Sequence, residues 1–185
     1  MAIIEIVNQT YLEAAQSSVS FGSIPATYTH LKAHVSAKTD STSSNHYDAM
    51  KVRFNSDATS NWYIFQLYGT GSTLGFSSYV SGNDAFWPPL ATSQRPEAES
   101  FGVTEILIPD YTSTDKYKSA ASTTYNNQTH TGSASGTVYL LMAGGISGTG
   151  TGVSDSAIST VSFTPYTGSN FTRGSVFTLY GLKSS

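Results

Sequence analysis

The stretch TYTHLKAHVSAK, residues 27–38, decides the fold class. Its odd positions are Thr29, Leu31, Ala33, Val35 and Ala37, small and mostly apolar. Its even positions are Tyr28, His30, Lys32, His34, Ser36 and Lys38, mostly polar. In a strand, successive side chains point to opposite faces, so this alternation predicts a strand with one face buried and one wet, as in an antiparallel sheet. The same period runs on both sides of it. Met50, Val52 and Phe54 alternate with Lys51 and Arg53. Residues 61–68 are aromatic or aliphatic on both faces, with Trp62, Ile64 and Tyr68 against Tyr63, Phe65 and Leu67, which predicts a central strand covered on two sides. Further strands are expected at 3–7, 18–21, 101–108, 116–125, 137–143, 157–164 and 175–182. Gly144-Gly145 is expected to end the strand over 137–143, and residues 10–16 can make one short helical turn. About nine or ten short strands, separated by Gly, Ser and Asn turns, predict an all-β fold, an antiparallel β-sandwich of the jelly-roll-like kind.

Composition agrees and excludes several classes of function. The chain of 185 residues carries 30 Ser and 24 Thr, and only 11% of its residues are charged. Length argues for a single domain over 1–185, with residues 1–16 able to form an N-terminal arm. The net charge of -3, with 9 Lys and Arg, argues against nucleic acid, which requires clustered cations. There is no Cys, so disulfides, thiolate zinc sites and Cys nucleophiles are out. Apolar runs are far shorter than the roughly 20 residues of a membrane helix, and the first residues lack the basic region of a secretory signal, so neither membrane insertion nor secretion is expected.

Searching for chemistry yields little. His30 and His34 would share a helix face, but along a strand they stand about 13 Å apart, too far for one metal. His46 and His130 sit in polar segments without a partner in the pattern. No Gly-x-Ser-x-Gly elbow occurs, and the run GTGTG at 148–152 lacks the Lys and the helix of a phosphate loop. Glu97 and Glu99 have roughly the spacing of a glycosidase pair, yet neighbouring carboxylates in a polar run read more simply as solvated. No catalysis, cofactor or metal is expected. What remains is aromatic. Residues 72–96 form a long stretch read as a loop, and it holds Tyr79, Phe86 and Trp87 beside Pro88 and Pro89. Long loops in compact domains are often functional, and aromatic side chains anchor interfaces. Phe86, Trp87 and Tyr79 are therefore candidate interface residues, and so are Ile3, Ile4 and Ile6 near the chain start. The competing assignment for the loop is a cover folded over one end of the sandwich.

Residues 23–31 (SIPATYTHL), 50–57 (MKVRFNSD), 65–69 (FQLYG), 108–118 (IPDYTSTDKYK) and 170–182 (NFTRGSVFTLYGL) together resemble a β-sandwich domain of tailed-bacteriophage virion structural proteins. The resemblance implies either a capsid decoration (cement) protein or a tail-fibre tip. It brings no catalytic residues. No fibre shaft accompanies the domain within these 185 residues, which favours decoration: a homotrimer bound to the major capsid protein on the virion surface, made in the host cytoplasm. The alternative is a tail-associated receptor- or carbohydrate-binding module directed at a host surface glycan, with Trp87 as a stacking platform.

Overall fold

The computed structural model describes residues 3–42, 47–56, 62–70, 73–81, 86, 90–93, 100–126, 139–147 and 156–183. Twelve strands and no helix occur among them. They are β1 (Ile3–Tyr11), β2 (Val19–Phe21), β3 (His30–Ala37), β4 (Tyr47–Phe54), β5 (Trp62–Thr70), β6 (Thr73–Ser81), β7 (Leu90–Thr92), β8 (Gly102–Ile108), β9 (Ser119–Asn126), β10 (Tyr139–Ser147), β11 (Val161–Pro165) and β12 (Val176–Lys183). The ordinal strands form two antiparallel sheets. One has eight strands in the order β1-β12-β3-β8-β9-β10-β5-β6; the other has four, β2-β11-β4-β7.

The expected alternation places the strands as the sequence indicated. Along β3, Leu31, Ala33, Val35 and Ala37 are buried, while His30, Lys32, His34 and Ser36 are half-buried on the other side. Strands β4, β8 and β11 repeat the pattern. The buried faces of the two sheets meet in an aromatic core. Phe163 on β11 lies 5.3 Å from Phe177 on β12, and Phe54 on β4 lies 5.6 Å from Trp62 on β5. Such tilted and edge-on contacts add about 0.5–1.5 kcal/mol each beyond area burial.

Four expectations are corrected. Residues 72–96 are not one loop: β6 and β7 fall within them, and these two strands raise the count from ten to twelve. Residues 10–16 make no helical turn; β1 continues to Tyr11 and Leu12 is buried. The N-terminal segment is not an arm over its strand portion, because Ile3–Tyr11 pairs along β12 as an edge strand of the larger sheet. Gly144-Gly145 does not end β10, which pairs with β5 as far as Ser147.

One corner is held by carboxylates. Asp48, on β4 and 2% exposed, accepts hydrogen bonds from the amides of Thr167 and Gly168, each at 2.9 Å. Asp40, just after β3, accepts from the amides of Ser169 at 2.7 Å and Asn170 at 2.9 Å, and from the Asn170 side chain at 2.8 Å. The turn over 167–170 is thus tied to the ends of two strands. A Cβ on Gly168 would stand 2.8 Å from Asp40 Oδ1, so a side chain there would force the carboxylate away. With its oxygens turned to amide donors, this pair serves as a structural clamp.

Candidate functional site

The eight-stranded sheet has an inner face on the core and an outer face. Its register defines one row of outer-face residues across every strand: Ile6, Tyr180, Lys32, Leu107, Ala121, Gly144, Phe65 and Ser78. The character of the face changes along the row. In the middle, Lys32 and Glu105 form a 2.9 Å ion pair, and His34 stands opposite Glu105. His30 accepts a 3.0 Å hydrogen bond at Nδ1 from the amide of Asp110. Towards β6 the charged groups give out.

Two small residues produce a depression there. Ala121 and Gly144 are neighbours on β9 and β10, and they lie between Leu107 on β8 and Phe65 on β5. Where the row drops to a methyl group and a hydrogen, taller neighbours stand as walls. The result is a groove of about 410 Å³ lined by Tyr63, Phe65, Leu107, Pro109, Ala121 and Gly144, with Ser119 as a polar contributor. Its walls remain open to solvent: Phe65 is 58% exposed, Tyr63 55% and Leu107 42%. The apolar surface continues past the groove. On the outer face of the β5–β6 hairpin, Tyr63 pairs with Val80 and Leu67 with Phe76. All four are exposed, as is Leu74. Neither strand contains a charged residue.

This arrangement redistributes the candidates. Phe86, expected as an exposed interface anchor, is fully buried. Its amide and carbonyl both bond to Val52, at 2.9 and 2.8 Å, and its ring lies 5.2 Å from Trp62 in the core. Phe86 itself is held against β4 and fills the core there, as a covering residue would. Tyr79 faces inward on β6 opposite Ile64 and packs partly buried against the core; burial raises its hydroxyl pKa. Ile3, Ile4 and Ile6 are exposed, on the edge strand at the opposite end of the sheet from the groove. Trp87, Glu97, Glu99, His46, His130 and the 148–152 run lie outside the described residues. Among the described residues no three of His, Cys, Asp and Glu come together as metal ligands.

The groove residues that sequence reasoning missed are Phe65, Tyr63 and Leu107. Their signal was present, because residues 61–68 are apolar on both faces. The expected covering layer on the second face is not formed by any described strand: the smaller sheet packs on the inner face alone.

No family model matches this sequence, and no curated protein does. Among solved structures, the chain is weakly similar to a legume lectin-like domain from Entamoeba histolytica, with 7% identity over 95% of this chain and 88% of that one. The TM-score is 0.21, too low to bear on fold or function. The groove must therefore be interpreted from its own chemistry. A depression with apolar walls and almost no hydrogen-bonding groups suits aliphatic or aromatic side chains, and it offers little to a polar, charged or phosphorylated ligand.

Proposed function

We propose that this protein is a bacteriophage capsid decoration protein, which binds the outside of an assembled head and stabilises it without catalysis. The observation that carries the reading is the uncharged, solvent-facing apolar surface centred on Phe65, Leu107 and the groove between them. Monomeric proteins seldom expose large contiguous apolar patches, and those that occur mark interaction sites. The sequence resemblance supplies the setting, and the major capsid protein is the partner proposed. A glycan-binding module is the less favoured use, because sugar recognition combines a stacking ring with several polar groups, and this groove offers chiefly Ser119 and the Tyr63 hydroxyl.

The physical mechanism is linkage. A protein that binds only the assembled shell lowers the free energy of that state and delays its disruption. Removing about 100 Å² of Phe65 from water contributes about 2.5 kcal/mol, close to a hundredfold in affinity. Leu107, on the opposite wall, acts in the same way. The test strips the protein from particles, adds back wild type, Phe65→Ser or Leu107→Ser, and heats the particles. Wild type should raise the temperature of DNA release, while either variant should bind roughly ten- to a hundredfold more weakly. Should add-back leave that temperature unchanged while the free protein binds host cells or their polysaccharide, a tail-associated role replaces this one.

A further inference from the structure

The two sheets have four edge strands, and three of them carry features that discourage further pairing. Strands β2 and β7 have three residues each. Strand β1 has a register shift between Ile6 and Asn8, and its Glu5 pairs with Lys183 at 3.6 Å. Short edges, bulges and charges are the usual defences of a sheet against added strands. Strand β6 has none of them. It is nine residues long, TLGFSSYVS, without Pro or any charge. It pairs with β5 through nine consecutive positions with no register shift, and no other described strand pairs with it. Its outer-face side chains are among the most exposed apolar groups of the chain: Leu74 at 78%, Phe76 at 77% and Val80 at 53%.

We infer that β6 is a self-association edge, pairing antiparallel with β6 of a second copy about a two-fold axis. Two observations select a second copy as the occupant. The edge bears no charge, so two copies meet without repulsion. An axis at Ser77, the middle of the strand, sets Leu74 opposite Val80 and Phe76 opposite Ser78 of the second copy, so each bulky side chain meets a smaller one. Strand pairing then satisfies the backbone groups left open along the β6 edge. The dimer would carry both grooves on one continuous sheet, making it bivalent towards a repeating surface. The inference stands on the edge geometry and does not depend on the capsid reading.

Sedimentation and native mass spectrometry of the isolated protein should show a dimer at micromolar concentration. Phe76→Lys and, separately, Ser78→Lys should weaken it about a hundredfold. Both positions are exposed, so far-UV circular dichroism should stay unchanged, and so should the unfolding midpoint at dilutions where wild type and variant are both monomeric. Ile4→Lys, 64% exposed on the opposite edge, should leave the dimer intact. Because the chain has no Cys, Ser77→Cys should give one oxidative cross-link joining two copies. A wild type that is monomeric throughout the micromolar range, an oligomer that Phe76→Lys leaves intact, or a Ser77→Cys protein that does not cross-link would overturn the inference.

Discussion

Strands β3 and β5 belong to the same sheet and bury comparable apolar faces, yet their outer faces differ. On β3 the outer residues are His30, Lys32, His34 and Ser36, and Lys32 engages Glu105. On β5 they are Tyr63, Phe65 and Leu67, all exposed. A polar outer face is what an antiparallel sheet with one dry side requires. The apolar outer face of β5 has no such structural explanation, because exposed aromatic surface costs free energy in water. The contrast separates a part of the sheet whose residues serve the fold from a part whose residues exceed what the fold needs.

Substitutions on β3 give the largest expected effect. Val35 is fully buried, so Val35→Asp places an unpaired charge in the core and should cost more than about 4 kcal/mol. His34→Asp, one residue away on the outer face, should cost about 1 kcal/mol or less, mainly through the Glu105 carboxylate opposite it. Urea unfolding of the two variants measures the difference; equal losses would break the assignment of faces.

The next pair tests the apolar end. Phe86→Ala empties a fully buried ring site beside Trp62 and should lose about 3–5 kcal/mol. Phe65→Ser should leave the unfolding free energy within about 1 kcal/mol, because that ring is already more than half in water. If Phe65→Ser destabilised as strongly as Phe86→Ala, the outer face would belong to the core and the proposed interaction face would fall.

The smallest effect belongs to the clamp beyond β3. Burial works against ionisation of Asp40, but hydrogen bonds from the Asn170 amide and side chain and from the Ser169 amide outweigh it, and its pKa lies below the ordinary 3.8. The stability this carboxylate contributes is therefore complete above that ordinary value and is lost as pH falls through the lower folded one. Asp40→Asn should be less stable than wild type at neutral pH, and the gap should narrow as acid is added below about pH 4. A gap independent of pH would assign the clamp's worth to shape alone. The apolar end of the sheet, with no charged residue on β5 or β6, should show no such acid dependence in dimer formation.

Much of the fold was legible because burial on one side writes a period of two into the chain. Ten of the twelve strands, the inward residues of β3 and the all-β class follow from that period. The two missed strands lie in a segment punctuated by Gly, Asn and Pro, whose turn residues mask short runs such as Leu90–Thr92. The site was less legible, and its two phenylalanines exchanged roles. Phe86 sits beside Trp87 and two prolines and so reads as surface; Phe65 sits in a run apolar on both faces and so reads as covered. Local sequence reports hydrophobicity, but it does not report what stands across from a side chain.

By itself the sequence determined the class of structure, the inward face of most strands and the poverty of charge, since each depends on residue type and spacing along the chain. The tertiary structure decided which apolar residues remain in water. That outcome depends on sheet order, which sets β5 next to the edge strand β6, and on where the four-stranded sheet lies, which covers one face of the larger sheet. It also depends on cross-strand neighbours, since Ala121 and Gly144 form a groove only because register places them side by side between Leu107 and Phe65. These are contacts between residues far apart in the chain, and a periodicity that repeats every second residue contains no information about them.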